Sequence, residues 1–96
     1  MERKSEGAIT KAIVRWCREN DWWHYKVWGS AFARAGVPDL LVCVDGRLVA
    51  LEVKGEGGTP TKLQLFEIKN IQDSGGIAGV VHSLDEAKAL FKEALT

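Results

Sequence analysis

Apolar residues fall at helical spacing near both ends of the chain and in alternating or continuous runs between them. Ile9, Ala12, Ile13 and Trp16 recur every three or four positions behind Ser5, a good N-cap, which predicts a helix from Glu6 to Glu19 ending at Asn20-Asp21. Trp22 to Trp28 is aromatic and β-branched, which predicts a strand with Trp23, Tyr25 and Val27 on one face and Trp22, His24, Lys26 and Trp28 on the other. One face is expected to pack on the first helix, and the tryptophans are expected to serve the core rather than to stack on bases. His24 has no second imidazole at ligand spacing and reads as a strand residue. Gly29 to Gly36 is a small-residue loop bracketed by glycines and leading into Val37. Pro38, which lacks a backbone donor, suits the first residue of the strand that follows. Two apolar runs then flank Asp45-Gly46, a strong hairpin signal, because both central positions of a type I′ turn need positive φ. Apolar residues on both faces of these runs predict a central, doubly covered hairpin. Gly55-Glu56-Gly57-Gly58 ends it. Thr59 as N-cap with Pro60 at the first helical position predicts a helix over 60–73 closed by Gly75-Gly76, while Thr61-x-x-Gln64 also satisfies a capping box. Residues 77–82 read as a short strand. Ser83-x-x-Glu86 then opens a last helix with the stripe Ala87, Leu90, Phe91 and Ala94. A helix between the third and fourth strands permits a parallel crossover. The order α-β-β-β-α-β-α thus predicts an α/β domain over 1–96, a mixed four-stranded sheet with helices on both faces.

Composition narrows the setting. The 96 residues are 46% apolar and 27% charged, as in a soluble globular domain, and no apolar run approaches the roughly 20 residues of a membrane span. The opening MERKSEGAITKA lacks the apolar core of a secretory signal, so a cytoplasmic location and no membrane partner are expected. Cys17 and Cys43 offer no metal framework and are expected to be buried, reduced thiols. Net charge is zero, which disfavours binding to nucleic acid by bulk electrostatics. Charge is unevenly placed, however. Residues 1–34 carry seven basic groups, Arg3, Lys4, Lys11, Arg15, Arg18, Lys26 and Arg34, against four acidic ones, and the remainder has the opposite excess. Such a split is compatible with a polyanion held beside an acidic cation site.

The hairpin carries the candidate chemistry. With a two-residue loop, cross-strand partners have Asp39 facing Glu52 at a non-hydrogen-bonded position, where Cβ atoms approach to roughly 4.5–5.5 Å. Paired carboxylates repel unless they share a proton or bind a cation. Lys54, two residues beyond Glu52, shares its face, so acid, acid and ammonium converge. Oxygen ligands suit a hard ion such as Mg²⁺, and the Val53 carbonyl is placed to complete its coordination. That ensemble matches metal-assisted phosphodiester cleavage, with Lys54 orienting or deprotonating water or stabilising the phosphorus oxygens. Arg34, at the end of the small-residue loop, could reach a phosphate. Glu6 in the first turn of a helix and Gln64 in a capping box each have a structural explanation as well.

Pro38-Asp39, a hairpin and Glu52-Val53-Lys54 resemble the PD-(D/E)XK nuclease signature, and Gly36-Val37 before it with Gln64 beyond it are similar to the VRR-NUC family in particular. The likeness covers nearly the whole chain and points to minimal stand-alone members of phage or bacterial type. It implies a restriction-endonuclease-like αβββαβ(α) core, with Asp39 and Glu52 as Mg²⁺ or Mn²⁺ ligands and Lys54 as the catalytic lysine. Gln64 and an acidic residue of the first helix, here Glu6, would complete the site, Glu6 also as a candidate further ligand. It further implies a homodimer cutting branched DNA such as Holliday junctions, with Arg34, Lys11 and Lys26 as candidate DNA contacts. Two other readings compete: a restriction-type sequence-specific nuclease, and a non-catalytic nuclease-like DNA-binding or assembly module.

Overall fold

A computed structural model describes residues 3–29 and 33–96. Its elements fall in the expected order: α1 Glu6–Glu19, β1 His24–Lys26, β2 Leu40–Val44, β3 Arg47–Val53, α2 Lys62–Asp73, β4 Ile77–Val81 and α3 Leu84–Ala94. The sheet runs β1-β2-β3-β4, with β1/β2 and β2/β3 antiparallel and β3/β4 parallel across the α2 crossover. The hairpin register is the one expected, from Val44 opposite Arg47 to Leu40 opposite Leu51. Asp45 and Gly46 turn the chain at φ 50° and 80°, as a type I′ loop requires.

One sheet face supplies Leu40, Val42 and Val44 from β2, Val49, Leu51 and Val53 from β3, and Ile77 and Val81 from β4 to the main core. Ile9, Ile13 and Cys17 of α1 and Ala87, Phe91 and Ala94 of α3 close over them, and burial pushes the Cys17 thiol up to about 11. The other face is thinner. Ala50 and Ala78 sit beneath Ile68 of α2, and their small side chains let that helix lie close to β3 and β4. A Schellman arrangement ends α2, with Gly76 N–H donating to the Ile71 carbonyl and Gly75 N–H to that of Gln72, and Gly75 at φ 96°.

Several expectations need correction. α2 starts at Lys62 rather than Pro60. Thr61 Oγ1 accepts from Gln64 N–H at 3.2 Å and Gln64 Oε1 accepts from Thr61 N–H at 2.8 Å, so the reciprocal box satisfies two donors where Thr59 would satisfy one. At Ser83 the box is half made, for Glu86 turns its carboxylate to His82 N–H instead of its own cap. The strand expected over 22–28 has only His24–Lys26 as regular strand, although Trp23 O and Val27 N–H still pair with Cys43 N–H and Asp39 O. Only two tryptophans serve the core: Trp22 packs on Phe91, and Trp16 lies on the core with Lys88 Nζ 4.0 Å from its ring centroid. Trp23 and Trp28 are exposed. Cys43 is exposed too, so the hairpin is not doubly covered throughout. The cause is common to Trp23 and Cys43: both point to the α2 side of the sheet, and α2 packs on β3 and β4, reaching Leu41 of β2 but leaving Cys43 and Trp23 uncovered. Part of the small-residue loop, positions 30–32, lies outside the described residues.

Gly36 fixes how the chain enters the hairpin. It adopts φ 85°, and a β-carbon there would lie 2.7 Å from the Leu63 carbonyl oxygen and 2.8 Å from its carbon. Neither contact involves a side chain that could rotate away. Gly36→Ala is therefore expected to destabilise the fold by about 2 kcal/mol, lowering Tm by about 10 °C in a thermal melt.

Candidate active site

Asp39 stands just before β2, one step beyond the Leu40–Leu51 pair, in line with Glu52 on β3. Pro38 before it is fully buried, and its ring offers no N–H. The Val53 N–H, which would next enter the ladder, donates instead to Asp39 Oδ2 at 2.9 Å. The Asp39 carbonyl accepts from Val27 N–H at 2.7 Å, so this residue is held from both sides. Within a strand a residue's carbonyl points to the same side as its N–H, which puts the Val53 oxygen on the Asp39 side of β3.

Glu52 is the unusual group. It is only 1% exposed, and its Oε1 has no hydrogen-bond partner among the described residues. Burial, followed by a hydrogen bond to Asp39 and repulsion from its charge, raises the Glu52 carboxyl to about 8; Lys54 opposes the shift and Glu6 adds slightly to it. Asp39, Lys54 and Glu6 thus all act on the buried carboxyl. Lys54 is half-buried at the end of β3, with its backbone N–H bonded to the Val81 carbonyl.

The other expected site residues are less closely engaged. Glu6 is exposed in the first turn of α1. Among the described residues no group of three His, Cys, Asp or Glu side chains converges as a ligand set, so Glu6 is not drawn in as a third carboxylate and acts on Glu52 through its charge. Gln64 commits its carboxamide oxygen to the α2 cap. Arg34, expected on a phosphate, donates through Nε to Glu67 Oε2 at 2.8 Å and pairs with it through Nη2 at 2.6 Å. Lys11 and Lys26 line a groove about 740 Å³ in volume along α1, with Arg15, Arg18 and Trp28. A second cavity of about 220 Å³ opens beside Asp39, lined in part by Val27, Trp28, Gly36 and Arg34.

Two contributors were not anticipated. Glu67 is a buried acid on the inward face of α2. Its signal was available, since Gln64, Glu67, Ile68 and Ile71 share helical spacing and an acid on an inward stripe needs a partner. His82 is the other. Its Nε2 lies 2.7 Å from the Gly58 carbonyl and its Nδ1 3.3 Å from Glu86 Oε1, tying the turn after Lys54 to α3. Both ring nitrogens face acceptors, so the doubly protonated ring satisfies both, and the Gly58 bond first and Glu86 second raise its pKa. This contribution is present at pH below the ring's ordinary value and is lost as pH rises through the raised one. His82→Ala is expected to cost roughly 0.5 kcal/mol at pH 6 and less at pH 9, and to speed amide exchange over residues 55–58.

No protein-family model matches the chain, and no curated protein matches it.

The arrangement suits a hard divalent cation. Glu52 Oε1 is a buried acceptor with no partner among the described residues, Asp39 is held through Oδ2 by the Val53 N–H, and the Val53 carbonyl lies on the same side. Two carboxylates and a carbonyl are the oxygen donors Mg²⁺ or Mn²⁺ takes while keeping several waters.

Proposed function

We propose that this chain is a Mg²⁺- or Mn²⁺-dependent DNA endonuclease with a restriction-endonuclease-like core of the VRR-NUC type. One observation carries the proposal: a buried carboxyl, Glu52, with an oxygen unpartnered among the described residues, faces a second carboxylate and shares its sheet face with Lys54. As a purely structural device such a pair weakens the sheet, because it buries a carboxyl with an unsatisfied oxygen and holds that group off its ordinary ionisation. Asp39, Glu52 and the Val53 carbonyl would hold the cation. When bound it supplies Lewis-acid polarisation of the phosphoryl group and a more acidic water.

The chain's own groups do the rest. The Val53 N–H bond holds Asp39 in one orientation, so the site is ordered before substrate arrives. Lys54 places its ammonium beside the acids, where it orients the attacking water and offsets negative charge growing on the non-bridging phosphate oxygens. Glu6 acts on Glu52 through its charge from the start of α1, and Gln64 would join the site from the start of α2. A chain with one such centre cuts two strands as a homodimer, and branched DNA, including four-way junctions, is the substrate class this reading favours.

Incubating the protein with linear, flapped, splayed and four-way DNA under Mg²⁺, Mn²⁺ or EDTA tests chemistry and shape preference together. Metal-dependent cleavage with branched DNA preferred is the expected result. No cleavage of any substrate, with no heat on titration by Mn²⁺, overturns the reading in favour of a non-catalytic module.

A further inference from the structure

The groove along α1 differs in kind from the carboxylate centre. Lys11, Arg15 and Arg18 follow one another at i, i+4 and i+7, so their side chains form a row, and Lys26 of β1 faces them across the groove. Its lining residues include no acid. Arg15 pairs with Glu19, but among the described residues Lys11, Arg18 and Lys26 make no ion pair. Four cations on so small a surface repel one another, an arrangement at odds with fold stability alone.

At one end stands Trp28, 73% exposed, with Lys26 Nζ 5.3 Å from its ring centroid. Exposing an indole is costly to solubility and is not required by the strand, whose regular pairing ends at Lys26. Trp28 also lines the small cavity beside Asp39, so one side chain borders both spaces. Trp28 therefore stands between the cavity beside Asp39 and the row of cations.

We infer that this groove binds an unpaired DNA strand next to the cleavage site, with one base stacked on Trp28 and successive phosphates on Lys26, Lys11 and Arg18. The inference rests on the nuclease reading for the position of the scissile bond, but the groove's chemistry stands apart from it. A cationic channel with an exposed aromatic is how proteins hold single strands, because every base has a face to stack and the backbone supplies regular charge. Duplex DNA would satisfy the cations but offers no unstacked base to the indole. The substrate class is thereby narrowed to duplexes carrying a single-stranded branch.

Binding in EDTA, where no cleavage interferes, separates the two claims. Fluorescence anisotropy would compare a fluorescein-labelled blunt duplex with the same duplex bearing an oligo(dT) tail. The wild type is expected to prefer the tailed form by about 10-fold, and Trp28→Ala to bring that ratio close to 1, with Trp28→Phe restoring part of it. Lys11→Ala with Arg18→Ala should shallow the salt dependence of tailed-duplex binding by about 1.4 in log–log slope, the loss of two phosphate contacts on a single strand. Equal affinity for blunt and tailed DNA in the wild type, or a Trp28→Ala ratio unchanged from it, overturns the inference. If the tail preference holds and no metal supports cleavage, the groove stands and the nuclease reading falls.

Discussion

Lys54→Ala is expected to reduce metal-dependent cleavage by about 10²- to 10³-fold under single-turnover conditions, with Tm within a few degrees of wild type. The side chain is half-buried at the last residue before the Gly55 break, so its removal leaves no sealed cavity in the core. Its charge acts on Glu52, and its place on the same face puts it within reach of a phosphate held by the two acids. Arginine keeps the charge but spreads it over a planar fork, so Lys54→Arg should restore little activity. Asp39→Ala should fail as completely, and for a second reason: it also strips the Val53 N–H of its acceptor and so lowers stability by about 1 kcal/mol or more. Cleavage by Lys54→Ala within about 3-fold of wild type would remove the lysine from the mechanism.

The second large effect is on stability and needs no substrate. Without divalent cation, folded Glu52 keeps its proton to about pH 8, against an ordinary value of 4.5. Between those limits the folded protein binds more protons than the unfolded chain, so stability falls as pH rises. The full window corresponds to about 5 kcal/mol, and Tm in EDTA should drop by more than about 10 °C from pH 5 to pH 8. Glu52→Gln, which keeps shape and hydrogen bonding but never ionises, should flatten that slope and outlast wild type at pH 8 while losing both metal binding and cleavage. Millimolar Mn²⁺ should lift wild-type Tm at pH 8 and leave the Gln variant unmoved. His82 contributes a smaller slope of the same sign, so a His82→Ala background isolates the Glu52 part. A wild-type Tm that is level from pH 5 to pH 8 in EDTA would refute the assignment.

Much of this was legible in the residues, for identifiable reasons. Asp45-Gly46 admits one tight turn, and once that turn is known the register carries Asp39 to Glu52 by counting. Ser5 and Asn20 bound α1 because capping is local chemistry. What failed depended on neighbours distant in sequence. Whether Trp23 or Cys43 is covered turns on where α2 lies across the sheet, which no strand pattern reveals. Arg34 was expected to be available to a phosphate because its partner, Glu67, is 33 positions away on another element. Thr59-Pro60 and Thr61-x-x-Gln64 were both valid helix starts, and the second prevailed because its side chain and backbone bond reciprocally.

The short Asp45-Gly46 turn also has a bearing on the order of assembly. β2 and β3 close through the most local contacts in the sheet, whereas β3 and β4 join residues 28 positions apart, as Val49 and Ile77 are. Loop-closure entropy favours the hairpin as the early structure, with β4 docking after it. Asp39 and Glu52 would then meet while both are still wet, and Glu52 would be desolvated only in the final step. The penalty for its charge is absent from the barrier on the way in and relieved on the way out. Raising pH should accordingly steepen the rate of unfolding and leave the rate of refolding nearly constant.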